Sequence, residues 1–180
     1  PPRSTHCISS AASDVYKRQV YDKMTKILAV IRIRGTVGIN KEAKDTLKML
    51  RLNKRNHAVI IDDRPSNMGM LKKITEYVTW GEIDKETLEY LLKRRGRLKG
   101  NKKLTDQYLQ EELKIRGTSE LAEKLIKGEI TLKKLKEIKP VFRLNSPSGG
   151  FKGSVKRHFK EDGELGYRGK AINKLIKRMG

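Results

Sequence analysis

Asp62 and Asp63 close an apolar run at residues 58–62, and paired acids at a strand end can hold a divalent cation or share a proton. Arg64 follows at once, and no histidine or third acid stands close behind. The pair therefore reads as turn and helix-entry chemistry, with a metal-dependent nuclease or phosphoryl-transfer reaction as the enzyme alternative. His57 and His158 stand singly in basic surroundings, without partners at the spacing of a zinc site or a nucleophilic triad. The glycine-rich segment 149–153 lacks the Gly-Lys-Ser/Thr ending of a nucleotide-binding loop. It suits close approach of backbone amides to phosphate, with Phe151 able to stack on a base.

The chemistry that the residue types do support is polyanion binding. Forty-two Lys and Arg against 21 Asp and Glu give a formal net charge of +21. Such an excess opposes compaction unless counterions or a polyanion absorb it. The charge comes in blocks. Residues 24–65 hold ten bases and four acids, residues 91–103 seven bases and no acid, and residues 140–180 ten and three. Between them, 66–90 is net acidic, with three bases and five acids, and 104–139 is nearly balanced, with eight and seven. This pattern predicts one basic face built from the first, third and fifth blocks, aimed at the phosphates of a nucleic acid. No apolar run approaches the roughly 20 residues that span a bilayer, so a membrane is not an expected partner.

Several elements must carry these bases. The branched apolar run 27–33 predicts a buried strand, and the loop 34–40 contains Gly35 and Gly38. Asn40 precedes a helix with Ala43, Leu47 and Leu50 on one face. A turn at Lys54, Arg55 and Asn56 leads to a strand over 58–62, and Pro65 and Ser66 open a second helix containing Met70, Leu71, Ile74 and Tyr77. Residues 78–83 are strand-like, with Tyr77 and Trp80 as packing residues. Helices are predicted over 84–96, 105–115, 119–127 and 132–138, resembling an inserted arm over 84–139. Residues 141–145 can then supply a last strand, and a final helix over 171–179 buries Ile172, Leu175 and Ile176 while exposing Lys174, Lys177 and Arg178. Residues 1–23 have no such periodicity and look like a translated adapter, with Met24 as the expected start. They hold the lone cysteine, Cys7, so the remainder has no disulfide or thiolate metal site and fits a reducing compartment.

The ordered series Ile27-Leu28-Ala29-Val30-Ile31-Arg32-Ile33, Arg34-Gly35-Thr36-Val37-Gly38-Ile39-Asn40, Leu47-Lys48-Met49-Leu50-Arg51-Leu52 and Gly69-Met70-Leu71-Lys72-Lys73-Ile74 resembles a known family. It is the large-subunit ribosomal protein numbered thirty in bacteria and archaea and seven in eukaryotes. Val78-Thr79-Trp80-Gly81-Glu82-Ile83, Phe142-Arg143-Leu144 before Pro147-Ser148-Gly149-Gly150-Phe151, and Gly163-Glu164-Leu165-Gly166-Tyr167-Arg168-Gly169 resemble its archaeal and eukaryotic branch. The resemblance spans 24–180. It implies an α+β fold: a β-α-β-α-β core (24–83 and 140–146) with a three-stranded antiparallel sheet and two helices on one face, an inserted helical arm (84–139), and a Gly-rich basic tail with a C-terminal helix (147–180). It implies a non-enzymatic cytoplasmic constituent of the ribosome, without cofactor, that binds 23S-type rRNA in the neighbourhood of the 5S rRNA and touches neighbouring ribosomal proteins. A free-standing RNA chaperone or translational regulator is the alternative.

On this reading Arg32, Arg34, Lys41, Lys44, Arg51, Lys54 and Arg55 form one phosphate-binding surface. Arg94, Arg95, Arg97, Lys99, Lys102 and Lys103 form a second. Lys152, Lys156, Arg157, Arg168, Lys170 and Lys174 form a third, beside the Gly149–Gly150 turn, with Phe151 and Tyr167 as base- or ribose-packing residues. Contacts should be led by shape and phosphate, and spread across folded RNA.

Overall fold

The computed structural model describes residues 26–180 apart from 114, 131, 133, 134 and 136, and at 112 and 113 the backbone only. The expected adapter segment, with Met24 and Cys7, lies outside the described residues. Short runs of branched residues form strands β1 (Ile27–Arg32), β2 (His57–Asp62) and β3 (Val78–Glu82). Amphipathic segments between them form α1 (Lys41–Met49) and α2 (Pro65–Lys73). β1 lies between β2 and β3 and pairs antiparallel with both, with Val30 opposite Val59 on one side and Trp80 on the other. This is the expected β-α-β-α-β unit. The strand that completes it is β3, not residues 141–145.

Three further strands widen the sheet to six. β4 (Val141–Arg143) adds antiparallel to β2, β6 (Gly163–Tyr167) adds parallel to β3, and β5 (Ser154–His158) borders β6. The order is β4-β2-β1-β3-β6-β5. The expected Gly-rich tail is thus largely ordered backbone, because the free edge of β3 offers unpaired groups that β6 satisfies. Thr79 Oγ1 strengthens that junction by donating to the Gly166 carbonyl at 3.1 Å.

Helices cover both faces of the sheet. On one, Leu28, Val30, Val59, Ile61 and Val78 pack against Leu47 and Leu50 of the α1 region and Leu71 and Ile74 of the α2 region. On the other, Ala29, Ile31, Ala58 and Phe142 meet α3 (Lys85–Arg95), α5 (Thr118–Ile126) and α6 (Ile172–Met179) through Leu88, Leu92, Leu121 and Ile176. α4 (Asp106–Leu113) contributes Leu109 to the same core. The inserted helices form a layer over the second sheet face. The physical reason is parity: β1 is apolar at every position but its last, so both of its faces must be covered.

Helix starts fall where the sequence suggested, although Asn40 occupies the first N-cap without a side-chain capping bond. The helix expected over 132–138 lies partly outside the described residues. At its end, Ile138 forms a bridge with Leu98.

Candidate nucleic-acid interface

The first basic block is split by burial. Lys41 and Lys44 on α1, and Arg51, Lys54 and Arg55 after it, are exposed. Arg34 is half-buried, 5.4 Å from the centre of the Tyr77 ring, and donates to the Glu76 carbonyl. Arg32 corrects the sequence reading. It is 2% exposed, Nη1 donates to the carbonyls of Leu52 (2.7 Å) and Asn53 (3.0 Å), and Nε donates to that of Arg34 (2.9 Å). Burial lowers its pKa, but an arginine stays charged. It ties the end of β1 to the chain leaving α1 and has no reach to an external phosphate.

The second block sits where α3 ends. Its last turn carries Lys93, Arg94 and Arg95, favourable at the negative end of the helix dipole. Beyond Gly96 the chain turns through Lys99–Asn101 and folds back so that Arg97 pairs with Lys103. Lys99, Lys102 and Lys103 are exposed, and Arg95 and Arg97 are half-buried. Arg94 is partly engaged, donating to Tyr90 Oη and to the Gly180 carbonyl.

Arg95, Arg97, Asn101 and Lys103 line an open pocket of ≈ 490 Å³ together with Arg143 of β4. Arg143 was not among the bases expected at the interface. The alternation Phe142 in, Arg143 out, Leu144 in was the signal that could have placed it there. β4 also draws the first block near: His57 stands opposite Arg143, the Leu144 N–H donates to the Asn56 carbonyl, and Asn56 Nδ2 donates to Ser146 Oγ at 3.3 Å. The 51–56 turn, the 95–103 segment and Arg143 thus share one end of the sheet edge.

The third block does not stay together. Ser148 and Gly150 are held beside the end of α6, where Arg178 donates to both carbonyls. Gly149 and Gly150 adopt φ of 73° each, a left-handed turn that suits glycine. Phe151 is half-buried and packs on the core, so only part of its ring is presented. Lys152, Lys156, Arg157, Lys170 and Lys174 are exposed, but Lys156 and Arg157 lie on β5. That edge is five strand positions from β4, roughly 24 Å at the usual spacing. The expected single basic face is therefore one cluster at the β4 edge, with Lys156 and Arg157 apart from it on β5 and Lys170 and Lys174 on the turn and helix that follow β6.

Arg168 is a second correction. It is 8% exposed, its Nη2 contacts Glu164 Oε2, and its guanidinium lies 4.6 Å from the centre of the Phe159 ring. Burial pushes the Glu164 carboxyl up, but hydrogen bonds from the Gly153 N–H, Arg168 and the Lys152 N–H outweigh it and hold the pKa below the ordinary value. Arg168 is an internal clamp on the β6 layer. Tyr167, 49% exposed, keeps an open ring while its hydroxyl donates to Glu82 Oε1.

Asp62 ends β2 and Asp63 begins the turn to α2, and Asp62 pairs with Arg64 at 3.5 Å. Among the described residues no group of three or more His, Cys, Asp or Glu is placed to hold a metal, and no helix is long and apolar enough to cross a membrane.

The family model described as "Ribosomal protein L30p/L7e" matches residues 28–78, from β1 to the start of β3. The "Large ribosomal subunit protein uL30" of Hyperthermus butylicus is 50% identical over 179 residues, covering 94% of this chain and 99% of that protein. The proteins of the same name from Thermofilum pendens and Archaeoglobus fulgidus are 52% identical over 151 residues and 48% identical over 153. They cover 83% and 85% of this chain, and 96% and 99% of their own lengths. Identity of this level across nearly the whole of each relative extends the match from β1–β3 to the added layer and strands, and the chain belongs to the ribosomal protein L30p/L7e family.

Proposed function

We propose that this protein is a non-enzymatic constituent of the large ribosomal subunit, binding 23S-type rRNA near the 5S rRNA and meeting neighbouring ribosomal proteins within the ribosome. The observation that carries this reading is the cationic end of the sheet edge. There Arg95, Arg97, Lys103 and Arg143 stand beside the exposed Arg51, Lys54 and Arg55. Among the described residues, none of the four pocket cations has an acid within ion-pair distance. Cations left unpaired in this density fit a surface completed by phosphates. Its relatives carry the name of a large-subunit protein, which supplies the particle. The exposed Lys41, Lys44, Lys152, Lys156, Arg157, Lys170 and Lys174 add contacts at other points of a folded RNA.

Co-sedimentation tests the reading. The full chain is expected to remain with large subunits through a moderate-salt wash. Release into the supernatant at that salt would instead favour a free-standing RNA chaperone or regulator.

A further inference from the structure

The basic surface at the β4 edge is concave. Its walls come from three separate parts of the chain: Arg95 from the last turn of α3, Arg97, Asn101 and Lys103 from the bridged turn, and Arg143 from β4. Lys and Arg side chains only donate hydrogen bonds. Among the described residues that line it, Asn101 is the one side chain with an acceptor, and Lys139 Nζ donates to its Oδ1 at 2.8 Å, leaving the amide NH2 as its remaining group. The described lining therefore offers donors almost exclusively, four side chains of it carrying full charges, and among the described residues no carboxylate pairs with them.

The turn that carries these groups is also tied down. The Leu98 N–H donates to the Lys102 carbonyl at 2.9 Å, the Lys99 N–H to that of Glu137 at 2.8 Å, and the Lys139 N–H to that of Arg97 at 2.8 Å. Leu98, Leu104 and Ile138 are buried beneath it. Side chains mounted on a fixed backbone lose less entropy on binding, so the site is preorganised.

A regular A-form duplex presents its phosphates along two ridges on a convex surface, and contacts with it are shared across the groove. Four cations converging on a concavity fit a different object. A strand that kinks, or a bulge that throws one nucleotide out, can bring consecutive phosphates into one cavity. The volume of ≈ 490 Å³ falls within the usual range for small-ligand sites, roughly 300–1,000 Å³. Arginine forks suit phosphate oxygens geometrically where lysine supplies only a point charge, and three of the four cations here are arginines.

We infer that this pocket is a seat for a kinked or bulged RNA strand, holding the phosphates of a single projecting nucleotide and its neighbour, and that it discriminates such a strand from continuous duplex. The inference rests on the proposed RNA-binding function and assigns one structural class of RNA to one part of the surface.

The test uses the full-length chain and two short RNA probes of equal length, one a continuous duplex and one carrying a single-nucleotide bulge, with intact large-subunit rRNA as a third ligand. The wild-type chain is expected to bind the bulged probe at least tenfold more tightly than the duplex. Arg97→Ala combined with Lys103→Ala should remove that preference and lower the slope of log affinity against log salt by about two for the bulged probe. Lys41→Ala combined with Lys44→Ala, the same charge loss on α1, should weaken both probes alike and keep the preference. Arg143→Gln, on an exposed edge position away from the bridged turn, supplies an independent variant should the first pair disturb the turn, and it should also reduce the preference. Equal affinity of the wild-type chain for bulge and duplex would overturn the pocket assignment while leaving rRNA binding intact. So would a preference that survives both pocket variants. Failure of the wild-type chain to bind intact rRNA would instead overturn the function on which the inference stands.

Discussion

His57 on β2 lies directly opposite Arg143 on β4, so the strand pairing that closes the sheet edge also sets a titratable ring beside a pocket cation. Burial lowers the His57 pKa first, and the positive charges of Arg143, Lys54 and Arg32 lower it further, with the Arg51 carbonyl opposing. Its Nδ1 is buried and has no hydrogen-bond partner among the described residues.

The sign of the resulting pH effect follows from linkage. As pH falls through the ordinary value of 6.5, the unfolded chain takes up a proton that folded His57 refuses. Stability should therefore decline from pH 7 toward pH 5, and His57→Gln should flatten that limb in urea unfolding series. Binding of RNA phosphates near Arg143 should raise the His57 pKa, observable as a shift of its imidazole NMR titration to higher pH. A titration unmoved by saturating RNA would place the bound phosphates elsewhere.

Arg32 predicts a structural phenotype despite belonging to the most basic kind of chain. Removing its guanidinium leaves the carbonyls of Leu52, Asn53 and Arg34 without their donor. Buried acceptors that lose their partners cost about 1–3 kcal/mol each when water cannot replace it. Arg32→Ala is expected to cost about 3 kcal/mol in denaturant unfolding. Arg32→Lys should recover only part of this, because a single ammonium cannot reproduce the planar fork. For the exposed Lys41 the same measurement should show a change near zero with a clear loss of RNA affinity, separating fold residues from contact residues.

Glu164 and Arg168 form a buried pair whose loss should be visible in both amplitude and pH dependence. With side chains 7% and 5% exposed, removal of one partner strands the other. Such a deletion typically costs about 3–5 kcal/mol. Because the folded Glu164 pKa is depressed, its contribution is present above the ordinary value of 4.5 and disappears as pH falls through the lower folded value. Glu164→Gln should lower stability at pH 7 and flatten the acid limb below about pH 4.5, measured by thermal unfolding across pH. The Lys152 and Gly153 amides, which both donate to Glu164 Oε1, should exchange faster in that variant.

What the sequence made legible follows the range of the forces involved. β1, α1, β2 and α2 were readable because alternation, branched residues and Pro65 act over a few positions, and residues 27–74 contain little that tertiary contact overrides. The role of the tail was not readable. Residues 154–167 are glycine-rich and charged, and their strand state comes from an edge of β3 that lies 87 positions earlier in the chain. The same limit explains Arg32 and Arg168. Composition counts both as surface charge, whereas strand parity at Arg32 and the i,i+4 relation of Glu164 to Arg168 were the local clues that they turn inward. The bases at 94–103 were legible as a density of charge, but the concavity they make with Arg143 was not. It depends on β4 pairing with β2, a contact that no local pattern encodes.

The attachment of the added strands can be tested at one glycine. Gly81 on β3 stands so close to Gly169 that an added Cβ would collide with the Gly169 carbonyl, while the neighbouring Trp80 carbonyl accepts from the Arg168 N–H at 2.9 Å. The obstacle is backbone, so no side chain can rotate away. Gly81→Ala must push the Gly169–Ala171 turn outward and stretch the bond that docks β6, at a cost of about 1–3 kcal/mol for overpacking. Hydrogen exchange should then quicken first in β6 and at the start of α6, before β1 and β2 are affected. Gly69 within α2 is the matched control. A Cβ there meets nothing within 4 Å, so Gly69→Ala should stabilise by about 0.8–1.0 kcal/mol through helix propensity. Opposite signs for the two substitutions would trace the cost at Gly81 to the contact with Gly169, and a neutral Gly81→Ala would show that the β3–β6 junction yields without loss.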